Sequence, residues 1–199
     1  MTIPTLDGAA LGGAAPRVRL RPPRLPEADG GADLDALFAL FSDADALRYW
    51  SHGPLATRDE ARIYLAPSDG SVLSWAVAEV ATDALVGRVT LHHWDRDNRR
   101  AEVGFIVARS QWGRGVASEA VRAVLGYGFG VLTLHRVEAD VDPENAGSLA
   151  LLARLGFRTE GLLAERWFTY GAWRDSAVLG LLARDFEAPS EGVAERGVP

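Results

Sequence analysis

Residues 103–117 read VGFIVARSQWGRGVA. The apolar, β-branched run AEVGFIV at 101–107 predicts a strand. RSQWGRG at 109–115 is too polar and glycine-rich to continue it, and from Val116 the apolar residues recur at Ala120, Val121, Val124 and Leu125, a helical spacing that runs on to Phe129. A strand, a glycine loop and a helix start in succession bring free N–H groups and the positive end of a helix dipole to one point, where an anion is favoured. Gly113 and Gly115 would let backbone approach such an anion closely, yet an ordinary tight turn before a helix uses the same glycines. The dinucleotide-binding fingerprint does not fit: Ser118 stands where Gly or Ala is required, and no acidic residue ends the next strand at the expected distance.

Upstream, RVRLR at 17–21 alternates charge and apolarity with the period of a half-buried strand. From Asp33, Leu34, Leu37, Phe38 and Phe41 repeat at helical spacing, and Thr57 with Glu60 three residues on is a capping box that opens a short helix through Tyr64 and Leu65. Residues 72–80 and 85–92 predict an antiparallel hairpin around ATDA. Downstream, 134–141 predicts a strand, DPEN at 142–145 a helix start, and Leu149 to Leu155 a helix stopped by Gly156 at C′. Strands near 157–168 and 174–182 flank the turn TYGA. The order βααβββαβαββ predicts an α/β domain, a mixed sheet with helices on its faces. Residues 1–16 and 188–199, poor in large apolar side chains, read as flexible tails, which leaves a single domain over 17–187.

The 199 residues carry 21 basic and 27 acidic side chains, a net charge of −6, with 48% apolar residues, as expected of one globular domain. Cysteine is absent, which excludes disulfides, thiolate metal sites and a thiol nucleophile. Every basic residue is Arg, which excludes a lysine Schiff base and a Walker phosphate loop. An acidic balance without basic clusters argues against nucleic acid. No window approaches the roughly 20 apolar residues of a membrane span, and the first residues have no basic-then-apolar leader, so a soluble, cytoplasmic protein is expected. The four histidines show no metal spacing. His92 and His93, adjacent on a predicted strand, are expected on opposite sides of it.

The strings VGFIVARSQWGRGVASEAV, HRVEADVDPENAGSLALLARLGFRTEG and WRDSAVLGLLARD together resemble the GNAT superfamily of acetyl-CoA-dependent N-acetyltransferases, and within it the branch that acetylates the N-terminal residues of ribosomal proteins. The joint spacing of Asn145-x-x-Ser148 and Arg154-x-Gly156-Phe157 behind the glycine loop is the specific part of the match. The resemblance implies a mostly antiparallel, twisted sheet with splayed central strands and helices on both faces. It implies that the amides of Gly113, Arg114, Gly115, Val116 and Ala117 hold the pyrophosphate of acetyl-CoA, with added charge from Arg114. Pantetheine would lie along Ile106 and Val107. Trp112, familiar in that branch, would anchor the loop or touch the cofactor, and no metal is implied.

Aminolysis of a thioester needs a neutral amine, a stabilised oxyanion and help for the departing thiolate. Many relatives assist the thiol with a Tyr seven residues after the Asn, where this chain has Leu152. The resemblance therefore implies Ser148 as the donor, with Asn145 at the same helix start, although both residues also suit helix capping. The branch carries a Glu where Trp167 stands here. Glu102 is the first candidate for the base, and Glu165, two residues before Trp167 and expected on its face, is the second. An α-amine of pKa near 8 needs less help than a lysine-like amine near 10.4. By the same resemblance the acceptor enters between LRYWSHGP at 47–54 and the TYGA turn, which makes Tyr49, Trp50, Trp167 and Tyr170 candidate contacts. The expected acceptor is a protein or peptide N-terminus, and the branch resemblance implies that of a ribosomal protein. Polyamines or aminoglycosides, and a non-catalytic CoA-binding module, are the competing readings. A monomer and a homodimer both fit the sequence.

Overall fold

A computed structural model describes residues 3–8, 15–25, 33–66 and 71–186. The strands are β1 (Leu6–Asp7), β2 (Val18–Arg21), β3 (Leu73–Glu79), β4 (Leu85–Asp95), β5 (Arg100–Val107), β6 (Arg136–Val141), β7 (Arg158–Thr169) and β8 (Ala172–Leu182). The helices are α1 (Leu34–Ser42), α2 (Arg58–Leu65), α3 (Val116–Gly130) and α4 (Ala146–Arg154). The expected order holds, with one strand added at the front.

All eight strands form one sheet, ordered β1-β2-β3-β4-β5-β6-β8-β7. Every pairing is antiparallel except β5 with β6, whose parallel ladder covers only Arg100 to Glu102 against Arg136 to Glu138. Beyond Glu102 the two strands diverge. Backbone groups of β5 that face β6 from Val103 onward therefore have no strand partner, and buried or half-buried backbone in that state seeks a hydrogen-bonding ligand.

Strand alternation divides the core. Val103 and Val107 of β5 pack with α3, which contributes Val116, Ala120, Val121, Val124 and Leu125. Ile106 joins Leu37, Phe41, Leu47, Ala61 and Leu65 on the opposite face, under α1 and α2. The first helix is tied down by a buried ion pair: the Asp33 carboxylate receives Arg21 Nη1 at 2.6 Å and Nη2 at 3.0 Å, and also accepts the Arg24 N–H at 2.7 Å. Thr57 Oγ1 caps α2 by accepting the Glu60 N–H at 3.1 Å, as the capping-box spacing predicts. Asn145 caps α4, and Gly156 adopts φ +95° after it.

Residues 6 and 7, assigned to a tail by composition, instead pair with Leu20 and Arg19, and the Pro4 carbonyl accepts the Trp75 indole N–H at 3.0 Å. Composition misses this segment because its order comes from tertiary contacts: the open edge of β2, the Trp75 indole N–H, and the main core, against which its two apolar residues Ile3 and Leu6 pack. Residues 9–14 and 188–199 of the expected tails lie outside the described residues.

Candidate active site

The divergence of β5 and β6 opens a cleft of about 2090 Å³ that runs from the glycine loop, past the start of α4, to the space under α1 and α2. At its loop end Gly113 and Gly115 have φ of +71° and +77°, and Gly115 is the residue before α3. These positive values are accessible to glycine at little cost, and they bring the loop to the start of α3, where the first N–H groups of a helix have no partner within it; the Arg114 N–H itself leans toward the Gln111 carbonyl at 3.4 Å. Arg17, which sequence reading passed over, reaches this point: its Nη1 donates to the Arg114 carbonyl, and its Nε meets the fully buried Glu119 carboxylate at 3.0 Å. Arg114 itself points into solvent. Arg109 is spent on Asp45, linking the loop to the α1–α2 connection. Trp112 is 52% exposed, lines the cleft, and donates its indole N–H to the Val107 carbonyl at 3.0 Å, so it braces the loop against the end of β5.

Ile106, Val107, Gly113, Gly115, Val116, Ala117, Asn145 and Ser148 all border this cleft, so the structure brings the expected donor-binding residues together. The Asn145 side chain accepts the Ser148 N–H at 3.1 Å. Asn145 therefore supplies the cap, and Ser148 borders the cleft, its hydroxyl without a hydrogen bond among the described residues.

Glu102 lies at the fork where β5 leaves β6. Its two oxygens meet His92 Nε2 at 3.3 Å and His93 Nδ1 at 3.1 Å. The expectation that the two histidines face opposite sides is thus corrected: β4 is irregular between His92 and Asp95, and His93 takes φ +49°, which swings its ring to within 4.7 Å of the His92 ring centroid. The three side chains place their ligand-type atoms within 4.8 Å of one another, a proximity the sequence spacing did not announce. Burial pushes the Glu102 carboxyl upward, but hydrogen bonds and charge from His92, then His93, outweigh it and hold the group below the usual carboxylate range. Gly104 makes this packing possible, because a Cβ there would stand 3.0 Å from Thr90 Oγ1 and 3.4 Å from His92 Cε1.

Tyr49, Trp50 and Trp167 border the cleft, whereas Glu165 and Tyr170 do not. Glu165 takes φ +51° at an irregularity between Leu163 and Trp167, which breaks the strand alternation on which its expected facing depended. Its N–H is held by Asp175 and its side chain is exposed. Tyr170 and Gly171, at φ +51° and +75°, form the β7–β8 turn, and the Tyr170 hydroxyl donates to the Leu47 carbonyl at 3.1 Å. The two segments expected to flank the acceptor do meet. Trp167 Nε1 contacts Asp140 at 3.3 Å, and Asp140, bonded also to Ser176, is a cleft carboxylate that sequence reading missed because a lone Asp on a strand carries no motif.

Residues 17–158 match the family model of the acetyltransferase (GNAT) domain, so this chain belongs to the GNAT family and is an N-acetyltransferase. N-acetyltransferase p20 of Bacillus licheniformis is 34% identical over 159 residues, 77% of this chain and 89% of that protein. YdaF of Bacillus subtilis (strain 168), which bears a provisional ribosomal N-acetyltransferase name, is 34% identical over 104 residues, 52% of this chain and 57% of that protein. The crystal structure of spermidine N-acetyltransferase from Vibrio cholerae in complex with CoA and spermine superimposes with a TM-score of 0.76 at 26% identity, covering 85% of this chain and 97% of that one. Members of the family take their acetyl group from acetyl-CoA. Among the described residues, no helix is long and apolar enough to cross a membrane.

Proposed function

We propose that the acceptor is an α-amine, the N-terminus of a peptide or protein, attacked directly in a ternary complex with acetyl-CoA. The fit to the donor rests on the unpaired edge of β5 and on the turned glycines. Ile106 and Val107 would flank the pantetheine arm, and the amides of Gly113, Arg114, Gly115, Val116 and Ala117 would receive the pyrophosphate. Arg17 would stand closer to those phosphates than Arg114 does. Trp112 braces the loop and Asn145 sets the start of α4. Glu102 would take the amine proton, through water or directly, and Ser148 would donate to the departing sulfur.

The observation that carries the α-amine reading is the double histidine contact to Glu102. A carboxylate stabilised by two imidazoles is a weak base. It suits an amine that is already partly neutral: at pH 7 an α-amine of pKa near 8 is about 10% neutral, against about 0.04% for an amine of pKa 10.4. The provisional ribosomal name of YdaF points the same way.

A second reading, a polyamine acceptor, is favoured by Glu102, Asp140 and Asp175 along the cleft and by the spermidine-acetylating relative. Thiol release from acetyl-CoA, measured with alanyl peptides and with spermidine at matched concentration, decides between them. Turnover of the peptides at least tenfold above spermidine is the expected outcome, and the reverse order overturns the α-amine reading.

A further inference from the structure

Under α1 and α2, the acceptor end of the cleft contains an arginine without an acid. Arg88 of β4 sits opposite Ile106 of β5, on the same sheet face as Thr90, His92 and Glu102. Its Nε donates to Ser74 Oγ at 2.8 Å, and its guanidinium lies 5.8 Å from the Phe41 ring centroid and 5.7 Å from that of Tyr64. No carboxylate among the described residues pairs with it. Two other shielded arginines differ: Arg21 holds Asp33 and Asp83, and Arg136 holds Glu138 and Glu160. Burial, the largest influence on Arg88, lowers its pKa, which marks a cation short of compensation. The Phe41 and Tyr64 rings pack edge-to-face on each other and lie together beside the guanidinium, which has the Ser74 hydroxyl on Nε and a hydrogen bond to the Tyr64 hydroxyl as its polar partners. A charge withdrawn from water with only neutral hydroxyls beside it is costly, and its remaining N–H groups suit an anion of matching geometry.

We propose that Arg88 is an anion-reading subsite, and that the preferred acceptor carries a carboxylate a few bonds from its reacting amine. This rests on the α-amine reading above. Arg88 and Glu102 are four residues apart in strand register, about 13 Å along the sheet at 3.3 Å per residue. The two side chains and the acceptor would together span that gap, with the amine at the Glu102 end and the carboxylate at the Arg88 end. A free amino acid, through its α-carboxylate, and a peptide whose first residue is Asp or Glu, through its side chain, share this chemistry. A polycation would meet repulsion at the same point.

The test compares kcat/KM for glutamyl, aspartyl and alanyl tripeptide amides, free glutamate, glutamine amide and spermidine, with wild type, Arg88→Gln, Arg88→Lys and Arg88→Glu. Stabilisation by acetyl-CoA in thermal unfolding, read in parallel, shows that each variant is folded. The expected result is a preference of at least tenfold for acceptors bearing a carboxylate over their uncharged counterparts. Arg88→Gln brings the ratio near one, Arg88→Lys keeps part of it, and Arg88→Glu inverts it. Preference for acidic peptides or for free glutamate tells which source of carboxylate is read. Turnover of α-amines with a ratio near one in wild type, or a ratio unmoved by Arg88→Gln, overturns the proposal and leaves the α-amine reading standing. Acetylation of spermidine alone, or of no acceptor in the panel, overturns both.

Discussion

Ser148 and Glu102 separate two tasks that free side chains would perform poorly. The Ser148 hydroxyl is available because Asn145 takes over the capping that a serine three residues into a helix start could have supplied. Ser148→Ala is therefore expected to lower kcat about 100-fold, the low end of what a positioned acid contributes, while the Kd for acetyl-CoA stays within about twofold; rapid-quench turnover with equilibrium binding checks both. Glu102 has its carboxyl held below the usual range, so it is ionised throughout the neutral region. Glu102→Gln should lose most activity below the pKa of the acceptor amine, near 8 for an α-amine, and progressively less above it, where the amine arrives neutral. A pH-rate comparison showing a uniform loss would remove Glu102 as the base. The same depression has a stability consequence. A carboxyl whose pKa is lower in the folded state stabilises the fold fully above its unfolded value of about 4.3, and that contribution disappears as pH falls through the lower folded value. The stability gap between wild type and Glu102→Gln, measured by urea unfolding, should accordingly be full near neutral pH and narrow steadily as pH falls below the unfolded value.

Helix α3 and helix α1 show how an element's end can matter more than its middle. Gly115 precedes α3 at φ +77°, and a Cβ there would also stand 3.0 Å from Arg17 Nη2. Gly115→Val is expected to cost about 1–2 kcal/mol of backbone strain and to abolish stabilisation by acetyl-CoA, since the loop amides and Arg17 are displaced together. Differential scanning fluorimetry with and without acetyl-CoA reads both effects. At α1, Asp33 spends its carboxylate on Arg21 across a nearly water-free contact, with exposures of 3% and 6%. Asp33→Ala leaves a buried guanidinium with only the partly exposed Asp83 and is expected to destabilise the protein by about 3–5 kcal/mol in chemical unfolding. Replacing both partners with apolar residues, Arg21→Met with Asp33→Leu, should cost much less, because no orphaned charge remains.

At the scale of the whole molecule, the cleft exists because two neighbouring parallel strands share only three residue pairs before separating. Ligand binding across that fork ties α3, α4 and both halves of the sheet to one another. Acetyl-CoA at about 100 times its Kd adds roughly 2.7 kcal/mol to the folded state, which for a chain of this size raises Tm by about 5–11 °C. ATP and NADH, tested alongside, should leave Tm within a degree. The β7–β8 hairpin closes one edge of the sheet and carries exposed apolar side chains, Leu162, Phe168 and Trp173 among them.

The sequence by itself determined the element order, the anion-cradling loop at Gly113 and Gly115, the helix start at Asn145, and the family. These are local properties: periodicity, glycine φ and capping act within a few residues, so a linear reading contains them. Only the tertiary structure decided which groups share the site. His93 reaches Glu102 through a bulge in β4, Glu165 is turned away by another in β7, and Arg17 arrives at the loop from just before β2, about a hundred residues upstream. Residues 6 and 7 form a strand only because β2 offers them an edge. Arg88 reads as an unremarkable strand arginine until α1 and α2 close over it and no carboxylate comes with them. Whether a charge is compensated depends on every segment packed around it, and that information has no position in the chain.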